Sequence, residues 1–418
     1  MGNHVGIIGG GIIGLSTAYY LQKSGFQVTV LDKGNLTDNC SFGNAGMIVP
    51  SHFTPLASPG MVAKGMAWMM KSTSPFYVRP RWSADLLSWG LRFYRHANKA
   101  HVTRVGPDLL ALSLFSKALY RQWAVEMPFE FGYLERGLLM LYQRADVEKE
   151  ESEAAHTANQ LGLEARVLTL PEIQQMEPDV RINARGGVYY PGDAHVIPQD
   201  LVTRLAVYLK KKGVRFETNT EVVGFATEHN SVRAAKTSRG EFAADAWVVA
   251  SGSWSGILNK KLGCNLPLQA GKGYSFTLKD VKANTRIPTI FLESRVAVTP
   301  MGNQLRFGGT MEITGIDHTI NMKRVKGIVD SIGAYYPDMT VGLPGPPDVW
   351  HGLRPCSPDG LPYVGRTKRW ANVVMATGHS MMGLSLAPAT GKVVSELLAG
   401  EVPGVDLSVF DPDRFDRG

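Results

Sequence analysis

The sequence predicts an α/β protein of two domains, and three features carry that expectation. Val5–Ile8 is a short unbroken apolar run, the pattern of a parallel strand buried on both faces. Ile12–Ser24 has helical periodicity and stops at Gly25, and Gln27–Leu31 is a second apolar strand ending at Asp32. The chain therefore opens with a strand–helix–strand unit. Strand and turn signals crowd instead over Leu266–Thr310, and strand–helix order returns at Val373–Thr377 and Ala387–Leu398. An antiparallel or mixed-sheet domain inserted into a discontinuous α/β domain accounts for all three. The expected division is 1–50, 195–265 and 345–418 for the first domain, and 51–194 and 266–344 for the second.

The remaining elements follow from the same patterns. A long helix is expected from Ala84 to about Met127, with further helices over Glu148–Leu161 and Asp200–Lys211. Strands are expected over Arg215–Thr218, Glu221–Glu228, Val232–Thr237 and Glu241–Val249. The apolar stretch Gly60–Met70 is too short to cross a bilayer and is interrupted by Lys64. A buried helix is the expectation there, in preference to one lying in a membrane interface.

Composition excludes several classes. Hydrophobic residues make up 44% of the 418 and charged residues 19%, an ordinary globular balance without a disordered signature. The net charge of +7 is a mild bias over this length. It suits an anionic cofactor, an acidic substrate or a peripheral contact with the inner membrane face. No dense Lys/Arg run carries interleaved aromatics, so no nucleic-acid partner is expected. Lys210, Lys211 and Lys212 end a helical pattern, where cations complement the dipole. Cys40, Cys264 and Cys356 are far apart and form no CxxC pair, so neither a metal site nor a disulfide framework is expected. With no basic leader ahead of the first strand, a cytoplasmic location is expected.

The turn after the first strand carries chemistry. Gly9-Gly10-Gly11-Ile12-Ile13-Gly14 contains G-x-G-x-x-G between a strand and a helix, the Rossmann-like arrangement. Gly9 permits the tight turn, Gly11 lets a pyrophosphate approach the backbone, and Gly14 lets helix and strand pack closely. The helix N-terminus offers free N–H groups to phosphates. Asp32 stands where a carboxylate accepts ribose hydroxyls, and its charge disfavours a 2′-phosphate. Motif physics alone leaves FAD and NAD open. Flavin is favoured by the early start of the motif and by the loop Ser41-Phe42-Gly43-Asn44-Ala45-Gly46-Met47. A second strand–glycine turn, Val248-Val249-Ala250-Ser251-Gly252, points the same way.

These segments resemble the D-amino acid oxidase-like superfamily of FAD enzymes, and within it the bacterial D-amino acid dehydrogenases. The resemblance covers nearly the whole chain. It rests on GIIGGGIIGLSTAYYL, SFGNAGMIVPSH, VVASGSWS and the block from His351 to Gly391. It implies a Rossmann-like FAD domain with an inserted substrate domain. FAD contacts are implied at Gly9, Gly11, Ile12, Ile13, Gly14, Asp32 and Lys33, and in the loop at Ser41, Asn44, Ala45, Gly46 and Met47. Further along they are implied at Val222, Ser251 and Gly252, then at Gly378, His379, Met382, Gly383, Leu384 and Ser385. Many relatives read Gly-His-Gly where this chain has Gly378-His379-Ser380. Relatives that bind flavin covalently use a histidine or a cysteine whose spacing is not met here, so FAD is expected to be non-covalent.

The resemblance also implies that Arg354, in Gly-Leu-Arg-Pro, grips a substrate carboxylate bidentately. His379 is a second candidate for the catalytic centre, and His52, Met311 and Glu312 are candidates for the substrate pocket. Glycine and sarcosine oxidases carry a tyrosine near the match to Ala297, which weakens an oxidase reading. The implied reaction is hydride transfer from Cα of an amino or imino acid, D-proline or hydroxy-D-proline among them. No side-chain base is strictly required. Electrons would pass to a quinone or carrier protein. The alternatives are a glycine- or sarcosine-type amine oxidase and the flavin subunit of a larger dehydrogenase.

Overall fold

The computed structural model describes residues 3–37, 39–69 and 73–416. The opening unit seeds a six-stranded sheet. Its strands run in the order Tyr363–Arg366, Val373–Thr377, Ala246–Val249, His4–Ile8, Gln27–Leu31 and Arg215–Glu217. All neighbours are parallel except the first pair. Apolar runs such as Val5–Ile8 are buried along their length because helices cover the sheet. Helix Ile12–Lys23 packs against Pro198–Lys211 and Ala387–Ala399. A Cβ at Gly391 would lie 2.5 Å from the Ser16 carbonyl carbon, so these helices meet backbone to backbone.

The second sheet has nine strands. The order is Trp350–Cys356, Gln269–Leu278, Gln304–Ile313, Val296–Met301, Thr289–Phe291, Leu138–Tyr142, Gly186–Tyr190 and Arg166–Thr169, with Phe76–Val78 added beside Gln304–Ile313. Helix Met322–Tyr335 closes its outer core, where Tyr335 stacks on Phe291 at 4.3 Å between ring centres.

Sheet membership departs from the expected division in two places. Trp350–Cys356 lies within 345–418, yet it is hydrogen-bonded to Gln269–Leu278 in the nine-stranded sheet. Helix Lys99–Glu126 lies within 51–194, yet Leu109, Leu112, Tyr120 and Trp123 join the core beneath the six-stranded sheet.

Three elements also differ from expectation. The long helix from Ala84 is two helices, Ala84–His96 and Lys99–Glu126. Asn98 is extended and its side chain accepts the His101 N–H at 2.9 Å, starting a new helix. The strand expected over Glu241–Val249 is two strands. Gly240–Ala243 pairs antiparallel with Ser231–Thr237, whereas Ala246–Val249 enters the parallel sheet. Helix Met61–Met69 is not buried: Gly65 is its one buried residue, and Met66 is 62% exposed. Its inner side covers a cavity and Phe76, and its outer side is open to solvent. Among the described residues no helix is long and apolar enough to cross a membrane.

Candidate active site

A cavity of about 970 Å³ lies between the two sheets. One end is formed by the glycine turn, and each glycine there has its own geometric reason. Gly9 stands at φ +113°, with the Ala250 carbonyl oxygen 2.5 Å from where a Cβ would be. A Cβ at Gly14 would sit 1.9 Å from the Gly9 oxygen, so Gly14 serves packing and does not line the cavity. At Gly11 the nearest atom to a Cβ is Ser41 Oγ at 3.8 Å, which leaves the space above the backbone open for a ligand. The helix beginning at Ile12 has no cap from its own N-cap residue, Gly11, and Ser41 Oγ accepts the Ile12 N–H at 3.2 Å. Open space, the first turn of a helix and glycine backbone together fit a pyrophosphate.

Asp32 lines the same end. Its Oδ2 accepts the Gly10 N–H at 2.6 Å and its Oδ1 accepts the Gly34 N–H at 2.7 Å. Each oxygen keeps a second lone pair. Lys33 lies with Nζ 3.6 Å from the centre of the Trp254 ring. Ile12, Ile13, Val222, Ser251 and Gly252 complete this wall.

The loop carrying Ser41, Asn44, Ala45 and Met47 forms the middle of the cavity. It is pinned from the second sheet. Buried Arg306 donates to the carbonyls of Phe42 at 3.3 Å and Asn44 at 2.9 Å, and Ser275 donates to the Gly43 carbonyl at 2.7 Å. Burial lowers the Arg306 guanidinium to about 10. Sequence reasoning missed both residues, since nothing local marks a strand residue as the support of a distant loop. Gly46 does not line the cavity. It stands at φ +78° against the Val196 carbonyl, where a Cβ would come within 2.3 Å.

Met382, Gly383 and Leu384 line the opposite wall. Gly378 and Ser385, expected as cofactor contacts, are not among the lining residues. Gly378 packs on Tyr363 at φ +79°, and Ser385 Oγ accepts the Val49 N–H at 3.0 Å. His379 borders the cavity, but its imidazole is committed elsewhere. Thr390 Oγ1 donates to the Leu386 carbonyl, so it accepts from His379 Nε2 at 2.9 Å. Burial drives this histidine down to about 3, leaving it neutral. Ser380 stands at φ +50°, a conformation that favours glycine, at the position where the resemblance leads one to expect Gly-His-Gly.

Arg354 faces the cavity from the edge strand of the second sheet. Nη1 donates to the Thr310 carbonyl at 2.5 Å and approaches Met311 Sδ at 3.8 Å. Gly273 on the neighbouring strand makes room: a Cβ there would lie 2.3 Å from Nη2. Among the described residues no carboxylate pairs with this guanidinium, and burial lowers its pKa. Such a group calls for an anion from outside the chain.

Met311 and His52 also line the cavity, and Glu312 does not. Successive strand residues point to opposite faces. Glu312 turns into a buried polar cluster, accepting from Tyr274 Oη at 2.6 Å and lying 3.4 Å from Arg324 Nε and 3.9 Å from Lys272 Nζ. Its expected place in the substrate pocket is corrected accordingly. All three cysteines are free. Cys356 is buried outside the cavity, while Cys40 lines it and accepts the Leu353 N–H.

A family model described as FAD dependent oxidoreductase matches residues 4–397. The chain is 30% identical to D-amino acid dehydrogenase of Granulibacter bethesdensis, over 96% of each chain. It is 31% identical to D-amino acid dehydrogenase of Bradyrhizobium diazoefficiens, over 98% of each. Its fold is similar to glycine oxidase from Geobacillus kaustophilus, with TM-score 0.78 and 24% identity over 99% of both chains. It is equally similar to L-proline dehydrogenase from P. horikoshii, with TM-score 0.78 and 20% identity over 100% of this chain and 98% of that one.

Proposed function

The chain belongs to the FAD-dependent oxidoreductase family, and from that premise we propose that it oxidises the CH–NH bond of a D-amino acid held through its carboxylate by Arg354. The observation that carries this reading is the Arg354 guanidinium, which faces the cavity with a carbonyl partner and no carboxylate partner among the described residues. When bound, FAD supplies the acceptor for the hydride that leaves Cα.

The chain's own residues bind, orient and exclude water. Arg354, Thr310 and Gly273 fix the carboxylate and hence the direction of the Cα–H bond. Gly11 and the first turn of the helix at Ile12 would hold the FAD pyrophosphate, and Asp32 would hold the ribose. Phe53, Met311, Leu353 and Tyr190 give the substrate end an apolar lining. That favours a compact aliphatic or cyclic substrate, such as D-proline or hydroxy-D-proline. The resulting imino acid is hydrolysed by water to a 2-oxo acid, and a cyclic one persists as the pyrroline.

The proposed electron acceptor is a quinone or a carrier, met at a peripheral membrane contact. Helix Met61–Met69 packs on strand Phe76–Val78, Leu86, Trp89 and Phe93 of Ala84–His96 share a hydrophobic cluster with Phe76, and the two helices expose Met66, Met69, Leu87, Leu91 and Tyr94. Met61, Lys64 and Trp68 of the first helix also border the cavity. Ala297 borders it where glycine and sarcosine oxidases carry a tyrosine, which speaks against the oxidase alternative.

Anaerobic mixing of the yellow enzyme with a panel of D-amino acids, glycine and sarcosine tests the reading. Bleaching by D-amino acids, with faster turnover on a quinone or dye than peroxide release in air, is the expected result. Bleaching by glycine or sarcosine alone, with peroxide release as fast as dye reduction, would move the assignment to an oxidase.

A further inference from the structure

Beside the Arg354 pocket runs a chain of hydrogen bonds that the proposed reaction does not yet use. Asp193 is fully buried in the turn after strand Gly186–Tyr190. Its Oδ1 accepts the Ser51 N–H at 3.2 Å and its Oδ2 accepts the Ser51 hydroxyl at 2.5 Å. Ser51 Oγ in turn lies 3.1 Å from His52 Nδ1. Ser51 and His52 border the cavity; Asp193 does not. Among the described residues His52 Nε2 has no hydrogen-bond partner. A buried carboxylate is thus wired through one hydroxyl to one imidazole that faces the cavity.

The donor order is set at the carboxylate. Ionised Asp193 can only accept, so Ser51 donates to it. The Ser51 oxygen is then free to accept from His52 Nδ1–H. That fixes the tautomer whose Nε2 carries a lone pair towards the cavity.

We propose that Asp193, Ser51 and His52 form a proton relay that takes the proton from the substrate ammonium before hydride transfer. This rests on the amino acid reading above. The ammonium N–H bond breaks and its proton goes to His52 Nε2. The Nδ1 proton passes to Ser51 Oγ, and the Ser51 proton passes to Asp193 Oδ2. The amine keeps the electron pair. Histidine and serine end neutral, and the aspartate ends as a carboxylic acid. No redox partner is needed, and the proton returns along the same path once product has left.

The electrostatics suit this direction. Burial raises the Asp193 carboxyl to about 7, and burial together with Arg295 lowers His52 to about 4, so His52 passes the proton on and Asp193 stores it. The groups around the relay are few. Lys117 faces Asp193 from helix Lys99–Glu126, and Glu135 pairs with that lysine at 3.2 Å. Tyr189 and Tyr190 face Asp193 from the preceding strand. His195, two residues beyond, is held neutral by burial at about 4. On the cavity side stand Arg295 and Glu151.

The test uses holoenzyme and 2-aminoisobutyrate, an amino acid without a Cα hydrogen, in mildly alkaline buffer. Binding is followed by perturbation of the flavin spectrum and proton transfer by infrared difference spectroscopy. The expected result is a protonated-carboxyl C=O band that appears on binding and is missing in Asp193→Asn. Ser51→Ala should bind the analogue without the band, and it serves if Asp193→Asn does not fold. Anaerobic flavin reduction by Ser51→Ala should be roughly 100-fold slower near neutrality and recover in alkali, where solvent deprotonates the amine. Analogue binding without the band in wild type overturns the relay, and bleaching by a D-amino acid in the same preparation shows that the amino acid reading survives. If nothing binds and nothing bleaches, both fall together.

Discussion

Arg354 Nη1 donates to the Thr310 carbonyl at 2.5 Å, and Thr310 holds that carbonyl in place at φ +66°. A β-branched residue in this region is an outlier that costs about 1–3 kcal/mol. Removing the guanidinium tests what the strain supports. Arg354→Ala should lower the efficiency of flavin reduction by one to several orders of magnitude. Arg354→Lys should recover part of it, keeping the charge and losing the planar fork. Bound FAD should stay near wild type in both. Full reduction efficiency in a flavin-replete Arg354→Ala enzyme would exclude a substrate role.

Gly273 offers a finer probe of the same contact. Alanine there places a methyl group 2.3 Å from Arg354 Nη2 and must displace it. Losing a charge-assisted pair costs about 1.5–3 kcal/mol, roughly 10- to 150-fold in substrate affinity. The expected signature is a raised apparent Kd for substrate with FAD content unchanged. An unchanged Kd would mean that the guanidinium binds substrate from another position.

At the other end of the cavity, Gly11→Val should yield apoprotein, because a branched side chain fills the open space above the turn. FAD content per chain, read from the visible spectrum, decides this. In wild type, acid or heat should release all the flavin into the supernatant. Flavin that precipitates with the protein would reveal a covalent bond, and Cys40 would be the first residue to examine.

Stability against pH reports on Asp193 without any substrate. Its carboxyl titrates near 7 in the folded protein and near 4 when unfolded. The folded state therefore keeps a proton that the unfolded chain has lost. The stability this confers is complete below about pH 4 and is lost as pH rises to about 7. Asp193→Asn carries no such proton. Its Tm relative to wild type should climb across that interval and level off above it. A flat difference would show that Asp193 ionises at its ordinary pH.

The glycine turn and Arg354 were legible in the sequence because their neighbours in sequence are also their neighbours in space. Gly9, Gly11 and Gly14 act within one turn, and Arg354 is set by its strand. Glu312 was misplaced because strand alternation needs a register that sequence does not supply. A bulge in its own strand, where Thr310 and Met311 stand opposite the single residue Gly273, sets which residue faces the cavity. Asp193 was invisible for another reason. Its partner Ser51 is 142 residues away, and a Gly-Asp turn carries no mark of burial. The exposed helix Met61–Met69 misled because an apolar run reads as core whether its outer side is covered or not.

The close helix pair at Gly391 and Ser16 has a consequence for biosynthesis. The nucleotide turn leaves the ribosome well before the helix that braces it. At about 5–20 residues per second, the turn waits roughly twenty seconds or longer for that brace. FAD capture is therefore expected to wait for that helix. A ribosome-bound chain stalled before Ala387 should carry no flavin even with its whole glycine motif exposed, and a cell short of FAD would accumulate full-length apoprotein in place of truncated chains.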